Sequence, residues 1–197
     1  MNDRPLQLFP ASRVIVEKDA DEALVDGCRN GDRAAFATLV TRYQRPIYNA
    51  AYRVLGSAED ASEVAQIVFL RIVERLDDYD SQYKFFSWIY RIAINEAIDL
   101  LRRNRREEPL DDGIELADTA SAGPEQGYQD RELSERIQRE LMKMKVEDRV
   151  VLTLRHFSEL SYREIAEILG AEEKTVKSRL FEARRRMGEL LADLRTR

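Results

Sequence analysis

Two stretches of the chain combine side chains that suit nucleic-acid binding, and the clearer one lies near the C-terminus. The run SYREIAEILGAEEKTVKSRLFEARRRM starts with Ser161 and Glu164 at the spacing of a capping box, and Gly170 ends a helix of about two turns. After a turn of three or four residues, a second helix carries apolar side chains on one face and basic side chains on the other. This pattern predicts a helix-turn-helix, whose second helix enters the major groove of duplex DNA.

The second helix of this pattern supplies the candidate base-reading side chains. Its N-terminal half would face the base edges and present Lys174, Thr175, Lys177, Ser178 and Arg179. Arg184 lies further along with Arg185 and Arg186, where contact with DNA phosphates suits these residues better than base reading. The competing interpretation is an ordinary helical hairpin with a solvated charged face.

The other candidate stretch, YDSQYKFFSWIYRIAINEAIDLLRR, interleaves aromatic rings with cations. Aromatic rings can stack on unpaired bases and cations can hold the backbone, so this mixture suits single-stranded or opening DNA. Asn95 could hydrogen-bond a base edge. In the alternative interpretation, Trp88 and several of the rings belong to the protein core. The rings and cations concerned are Tyr79, Tyr83, Phe85, Phe86, Trp88, Tyr90, Lys84, Arg91, Arg102 and Arg103.

The net charge of −5 conceals an uneven distribution of charge along the 197 residues. Residues 84–106 carry six Lys or Arg against two Asp or Glu, and residues 173–197 carry eight against four. Between them, residues 107–127 hold seven acids and no Lys or Arg. Because the local field rather than the net charge acts on a phosphate, a polyanion could contact both basic segments.

The sequence pattern predicts that all of the elements that position these side chains are helices. Apolar residues recur at three- and four-residue steps from Asp21 onward, and Gly and Pro are scarce. We therefore predict an all-α protein of two small helical domains joined by a flexible acidic linker. The predicted boundaries are a flexible arm at 1–20, a first domain at 21–103, the linker at 104–127 and a second domain at 128–197.

Several polar residues and glycines fit the ends of the predicted helices. Asp32 follows the helix-breaking Gly31 and can cap the next helix. Gly56 fits the end of that helix, and Ser57 fits the cap of the following one. In the second domain, Asp148 is predicted to cap a helix.

Other classes of function lack the residues that they need. Cys28 is the single cysteine, which excludes an internal disulfide and a cysteine-based metal cage. There is no nucleophile–base pair, metal-ligand spacing or phosphate loop, and we expect His156 to be structural. We therefore predict no enzymatic activity, no cofactor and no metal. No apolar run approaches the roughly 20 residues of a membrane span and no signal peptide is recognisable, so we expect a cytoplasmic protein without membrane insertion.

Three motifs in order along the chain resemble one known family. They are GDRAAFATLVTRYQRPIYNAAYRVLGSAEDASEVAQIVFLRIVERLDDYD, FFSWIYRIAINEAIDLLRR and LSYREIAEILGAEEKTVKSRLFEARRRM. Together they look like the group 4, or extracytoplasmic-function, sigma factors, and the resemblance runs from about Asp21 to the C-terminus apart from the linker. It implies a sigma-2-like bundle and a sigma-4-like helix-turn-helix domain in a subunit that binds core RNA polymerase and promoter DNA.

The resemblance also implies roles for individual residues. The helix matching 58–77 would dock on the clamp of the polymerase's largest subunit with Asp60, Glu63, Gln66, Phe69 and Arg71. The segment matching 78–103 would melt and read the −10 promoter element with Tyr83, Lys84, Phe85, Arg91 and Asn95. The helix matching 173–187 would read the −35 element with Lys174, Thr175, Lys177, Ser178 and Arg179. Many family members are held inactive by an anti-sigma factor, which is therefore a possible partner.

The chain departs from the usual family pattern at a few positions. Ser62 and Ile67 stand where acids are common in the clamp helix, which predicts weaker clamp binding. One hypothesis is that phosphorylation of Ser62 restores the missing charge. Glu182 stands where family members frequently have a basic residue, which leaves the −35 sequence that the protein recognises undetermined.

Two other functions compete with this interpretation. A stand-alone helix-turn-helix repressor would dimerise to read two half-sites, and a pure interaction protein would need no basic recognition residues. As a sigma factor the free protein is expected to be a monomer that binds DNA weakly, because each basic segment carries a net charge of only +4.

Overall fold

The computed structural model describes residues 18–107 and 128–192, and all regular structure within these ranges is helical, which confirms the all-α prediction. Residues 1–17, 108–127 and 193–197, which include the predicted arm and most of the predicted linker, lie outside the described residues. A 3-10 turn, Leu76–Asp78, follows the third helix, and a π-helical turn, Thr153–Phe157, follows the sixth. The α-helices in the described ranges are α1 (Lys18–Arg29), α2 (Arg33–Leu55), α3 (Ala58–Arg75), α4 (Phe85–Glu107), α5 (Tyr128–Met142), α6 (Val146–Leu152), α7 (Tyr162–Leu169) and α8 (Glu173–Leu190).

The first four helices pack into a bundle around an apolar core. The apolar stripe of α3 consists of Val64, Val68 and Ile72, and Leu76 of the 3-10 turn continues it at the same step of four; all four are at most 8% exposed. This stripe packs between α2 and α4. Burying each such side chain contributes about 1.5–3 kcal/mol, so the apolar period is what holds the bundle together. Helix α4 ends at Glu107, so it continues four residues beyond the predicted boundary at 103.

Helix α1 is tied to the bundle at both of its ends. Asp21 is buried and accepts hydrogen bonds from the Tyr43 hydroxyl and from Arg42 Nη1. Burial raises the pKa of Asp21, and these two hydrogen bonds oppose the rise. At the other end, Arg29 donates to the carbonyl oxygens of Leu76 at 3.3 Å and Tyr79 at 2.9 Å. These bonds fix the start of the loop that leads into α4.

Most of the predicted caps are confirmed, and one is wrong. The Asp32 carboxylate accepts from the backbone of Ala34 and Ala35, and the Ser57 hydroxyl accepts from the backbone of Asp60. Asp148, however, is not a cap, because α6 begins at Val146 and Asp148 lies within its first turn. Its carboxylate is buried and forms an ion pair with Arg186 of α8, so its role is to join two helices.

The predicted helix-turn-helix is formed by α7 and α8. Ser161 and Glu164 make both bonds of a capping box at the start of α7. Gly170 ends α7 in the left-handed region with φ of +59°, which a residue with a Cβ adopts only at a cost. Buried Ile165 and Val176 lie on the faces that the two helices turn toward the core. The outer face of α8 is therefore left exposed.

The two halves of the chain pack against each other. Helix α2 contacts α5 and α6, and α4 contacts α7. Val150, Leu154 and Ile165 from the second half join the same apolar core as the four-helix bundle. In the described residues the domains are thus in direct contact.

Gly56 lies where the halves meet, and its replacement is expected to lower stability. It ends α2 with φ of +81°, and a Cβ there would overlap the side chain of Met142 of α5. Gly31 has a similar φ of +78° but no atom within 4 Å of such a Cβ. Gly31→Ala should therefore cost about 1–2 kcal/mol from backbone strain alone, and Gly56→Ala should cost more because Met142 must also move. Urea unfolding of both variants measures the difference, and equal losses would contradict the packing argument.

Candidate nucleic-acid interface

The recognition helix α8 separates an anchoring face from an exposed face. Val176, Leu180, Ala183 and Met187 are buried, and they hold the helix against the rest of the domain. All of the residues predicted to read bases are exposed on the N-terminal half: Lys174, Thr175, Lys177, Ser178 and Arg179. Several of them border a groove shared with Glu172 and Glu182, whose carboxylates limit which bases can approach.

Lys177 is positioned by neighbours within the helix-turn-helix. Its Nζ lies 2.6 Å from Glu173 Oε1 and 5.5 Å from the centre of the Tyr162 ring. The hydrogen bond that it donates to Glu173 raises the pKa of Lys177, so the side chain keeps its positive charge. A DNA phosphate or guanine edge would have to compete with Glu173 for this ammonium group.

The three consecutive arginines of α8 are all engaged by protein groups. Arg184 Nε donates to Nε2 of His156 at 3.1 Å, so the single histidine is structural, as predicted. Arg185 bridges Glu182 and Glu189, and Arg186 pairs with Asp148. Arg184 and Arg186 are half-buried, whereas Arg185 is exposed. Arg184 and Arg186 thus join α8 to the preceding helical elements and keep exposed edges that can contact phosphate, whereas Arg185 pairs within α8.

Phe181 is a candidate contact that the sequence reading missed. Its ring is 59% exposed on α8, one turn after Lys177 and on the same face. An exposed ring on a groove-reading helix suits contact with the methyl group of thymine. Its exposure could have been predicted from the sequence, because Phe181 falls outside the apolar period formed by Val176, Leu180, Ala183 and Met187.

The candidates for opening DNA separate into exposed and buried groups. Tyr83 is 53% exposed, and Lys84, Arg91 and Asn95 are exposed along one stripe of the α4 region. Phe85, in contrast, is 1% exposed, so its ring is not available to a base in this structure.

Phe85 and its aromatic neighbours support the loop that carries Tyr83. The Phe85 ring lies 5.9 Å from Tyr43, 5.2 Å from Tyr79 and 5.7 Å from Trp88 between ring centres. The Tyr79 hydroxyl donates to the Tyr83 carbonyl oxygen at 2.7 Å. Burial raises the pKa of Tyr79 to about 12, so this hydroxyl keeps its proton and remains a donor.

Two of the exposed cations contact the second half of the chain. Lys84 Nζ lies 2.7 Å from Glu164 Oε1 of α7, and Arg91 donates to the carbonyl oxygen of Glu167. Burial acts to raise the pKa of Glu164, but the bonds from Lys84 and Ser161 outweigh it and lower the pKa. Glu164 is therefore ionised at neutral pH.

Helix α3 presents a stripe on its exposed side that mixes charge with apolar surface. Half-buried Asp60 and exposed Glu63 and Gln66 lie at steps of three, and the stripe continues to Leu70 and Val73. The last two are 62% and 64% exposed and lie about one turn apart, so together they form a small apolar patch. The sequence reading missed both, although they break the buried period of α3.

The remaining residues predicted for the clamp helix differ in position. Phe69 is half-buried against the core, and Arg71 Nη2 pairs with Glu96 Oε1 of α4 at 2.5 Å. Both therefore act within the bundle in this structure. Ser62 is exposed beside Glu63, where a kinase could reach its hydroxyl.

The described residues hold no group of three or more His, Cys, Asp or Glu that could bind a metal ion. Cys28 is half-buried, and burial raises the pKa of its thiol. No helix in the described part of the chain is long and apolar enough to span a membrane.

Comparison with known proteins gives matches to two family models and to curated proteins of one kind. Sigma-70 region 2 matches residues 39–107, and Sigma-70, region 4 matches residues 134–187. The ECF RNA polymerase sigma factor SigW of Bacillus subtilis is 35% identical over 175 residues, covering 84% of this chain and 94% of SigW. The ECF RNA polymerase sigma-E factor of Escherichia coli is 34% identical over 177 residues, covering 85% of this chain and 92% of its own length.

Solved structures give the same fold. The complex of CnrH with the cytosolic domain of CnrY matches with a TM-score of 0.67 and 26% identity, covering 89% of this chain and 99% of that chain. The sigma factor RpoE of Bartonella quintana, in complex with the anti-sigma factor NepR, matches with a TM-score of 0.63 and 21% identity, covering 80% and 96%.

Proposed function

The chain belongs to the extracytoplasmic-function family of RNA polymerase sigma factors, which serve transcription initiation, and we propose how its residues divide that work. Residues 21–103 bind core polymerase and open the −10 element, whereas residues 128–197 read the −35 element. The linker at 104–127 connects the two along the polymerase. As a subunit of RNA polymerase, the protein works in the cytoplasm, and it is a monomer when free.

The −35 element is read by the exposed face of α8. Support comes from the exposure of Lys174, Lys177 and Arg179 on the N-terminal half of a helix whose other face is anchored in the core. Thr175 and Ser178 supply short donors and acceptors between these cations. Arg184 contacts phosphate through its exposed edge.

The −10 element is melted and held by the exposed part of the aromatic segment. Tyr83 supplies the stacking surface for an unpaired base, Lys84 and Arg91 hold the backbone, and Asn95 hydrogen-bonds a base edge. The exposure of these four residues supports their roles. We assign Phe85 to the support of Tyr83 rather than to base contact.

The clamp of the polymerase binds the exposed stripe of α3. Asp60, Glu63 and Gln66 provide polar contacts, and Leu70 with Val73 provides the apolar centre that stable interfaces need. The exposure of the two apolar side chains supports this assignment. Phe69 and Arg71 hold the helix in place from behind.

Removing the apolar part of this stripe is expected to weaken binding to core polymerase. The double variant Leu70→Ser, Val73→Ser should bind core roughly tenfold more weakly, because desolvated apolar contacts carry most of the energy of an interface. Its thermal stability should stay close to that of the parent, because both side chains are exposed. Ala37→Ser, on an exposed part of α2, is the control. Equal binding of the double variant and the control, measured by fluorescence anisotropy, would exclude the stripe.

A protein partner is also proposed for the free sigma factor. CnrH forms a complex with the cytosolic domain of CnrY, and RpoE of Bartonella quintana forms one with the anti-sigma factor NepR. These complexes support an anti-sigma factor as the partner of this chain. Such a protein would compete with polymerase or DNA for the same surfaces.

The observation that carries the proposal is that one chain presents two different DNA-suited surfaces, a groove-reading helix and an aromatic loop. The test is run-off transcription with sigma-free bacterial core polymerase and fragmented genomic DNA. Discrete start sites that depend on the added protein, each preceded by shared −35 and −10 sequences, are the expected result. Failure to bind core or to yield transcripts would refute the proposal.

A further inference from the structure

Arg29 is the last residue of α1, and its guanidinium reaches the start of the loop between α3 and α4. Nη2 donates to the carbonyl oxygens of Leu76 at 3.3 Å and Tyr79 at 2.9 Å, and the guanidinium lies 6.0 Å from the centre of the Tyr79 ring. The last carbonyl oxygens of a helix lack the hydrogen bonds of its interior, so a cation there supplies donors and opposes the negative end of the helix dipole. One side chain of α1 thus holds the backbone from which the loop begins.

The loop that follows is a turn closed by its own hydrogen bonds. The backbone nitrogen of Tyr83 donates to the Asp80 carbonyl oxygen at 3.1 Å, and that of Gln82 donates to Asp80 Oδ1 at 2.9 Å. The Tyr79 hydroxyl donates to the Tyr83 carbonyl oxygen at 2.7 Å and so joins the two ends of the turn. Tyr79 is 4% exposed, whereas Tyr83 is 53% exposed. The buried tyrosine therefore determines where the exposed ring stands.

Tyr79 connects Arg29 to Tyr83. Its carbonyl oxygen and its ring contact Arg29, and its hydroxyl binds the Tyr83 backbone. Phe85 and Trp88 hold the Tyr79 ring from the side of α4, with ring centres 5.2 and 5.7 Å away, but such contacts restrain the side chain rather than the carbonyl group. Loss of the bonds from Arg29 would therefore loosen the backbone at Tyr79 and, with it, the position of the Tyr83 ring.

We propose that Arg29 is a positioning residue for promoter opening, which acts through Tyr79 to hold Tyr83 where it stacks on an unpaired base. The role assigned to Arg29 rests on the proposed function of Tyr83. A base binds more tightly to a ring that is already in place, because the loop then needs no ordering at the moment of binding. The apparent affinity for the opened strand falls with the fraction of molecules whose loop is in place. Helix α1 thereby takes part in opening without itself touching DNA.

Three variants isolate this role. Arg29→Ala removes both bonds to the loop. Arg29→Lys keeps the charge and retains a donor that can reach one of the two carbonyl oxygens, so it should recover part of the function. Arg33→Ala is the matched control, because Arg33 is exposed at the first position of α2 and its removal changes the net charge by the same amount. The exposed pair of Arg29 with Asp26, at 3.5 Å, is also lost in Arg29→Ala but contributes little.

The experiment compares loop protection with promoter opening. Hydrogen–deuterium exchange of the free full chain follows the amides of residues 79–84, and permanganate footprinting with core polymerase gives the extent of opening. We expect Arg29→Ala to exchange these amides at least roughly threefold faster, because the turn opens more often. Opening should fall roughly three- to tenfold, as expected for the loss of two partly exposed hydrogen bonds from a charged donor. Binding to core should be unchanged, Arg29→Lys should be intermediate, and Arg33→Ala should match the parent.

A double variant distinguishes positioning of Tyr83 from general support of the bundle. If Arg29 acts through Tyr83, then adding Arg29→Ala to Tyr83→Ala should reduce opening no further than Tyr83→Ala alone. Losses that multiply in the double variant would overturn the inference, because they would show that Arg29 acts on opening by another route.

The remaining outcomes are equally decisive. Unchanged loop exchange in Arg29→Ala, or faster exchange with normal opening, would overturn the inference. If Arg29→Ala does not fold, Arg29→Lys replaces it, and equality of Arg29→Lys with the parent in both measurements then overturns the role. Exchange requires neither polymerase nor promoter. If the loop responds as expected but the parent opens no promoter, the proposed function fails while the positioning of Tyr83 by Arg29 stands.

Discussion

Replacing Arg179 with Ala is expected to reduce transcription by this sigma factor about 10- to 100-fold while leaving its binding to core polymerase unchanged. Arg179 is exposed on the N-terminal half of α8, the part of a recognition helix that approaches base edges. A bidentate contact between arginine and guanine contributes about 1–3 kcal/mol of discrimination, and its loss acts on promoter recognition alone. Run-off transcription at the start sites found for the parent measures the effect.

Arg185→Ala is the control for this prediction. Arg185 lies on the same helix and is exposed, but it already bridges Glu182 and Glu189. Its removal changes the charge of α8 by the same amount as the loss of Arg179 and should lower transcription less than about threefold. If both variants lose activity equally, the helix acts as a general basic surface rather than as a reader of bases.

Phe85 and Tyr83 are only two residues apart, and their replacement by Ala is expected to have opposite consequences. Phe85→Ala should lower the free energy of unfolding by about 3–5 kcal/mol, because it empties a core position packed by Tyr43, Tyr79 and Trp88. Tyr83→Ala should stay within about 0.5 kcal/mol of the parent, because the ring is exposed. It should instead reduce promoter opening about tenfold, since stacking on one base contributes about 1–3 kcal/mol.

Two measurements distinguish these roles. Urea unfolding monitored by circular dichroism gives the stability of each variant, and permanganate footprinting gives the extent of DNA opening. A Phe85→Ala protein that is stable but defective in promoter opening would indicate that Phe85 contacts a base. A Tyr83→Ala protein that opens promoters normally would show that Tyr83 is not needed for base contact.

The helices and their ends could be predicted from the sequence because the signals are local. Asp32, Ser57 and the pair Ser161 and Glu164 cap the helices that follow them, and Gly56 and Gly170 end helices in the left-handed region. Asp148 was misassigned because a carboxylate that pairs with Arg186, 38 residues away, has the same local appearance as a cap. The prediction of a family of sigma factors is confirmed, since three ordered motifs are a specific signal, and this excludes the stand-alone repressor.

The candidate sites could be predicted only in outline, because periodicity does not tell which face of a ring-rich helix is buried. Phe85 and Tyr83 are both aromatic and both flank Lys84, yet packing against α2 buries only the first. Leu70 and Val73 lie outside the buried four-residue period of α3, but this period alone does not tell that both are more than 60% exposed. The contact between Lys84 and Glu164 joins residues 80 positions apart, and no local sequence pattern predicts such a pair.

Trp88 gives the chain a built-in optical reporter. It is the only tryptophan of the sequence, and its indole lies half-buried against Tyr79 and Phe85, directly beneath the loop that presents Tyr83. The emission of an indole depends on the polarity and quenching groups around it. Because the chain has one indole, its emission wavelength and fluorescence lifetime report the surroundings of Trp88. In the free chain, the emission of Trp88 therefore reports the packing of the aromatic cluster beside Tyr83 without an attached dye.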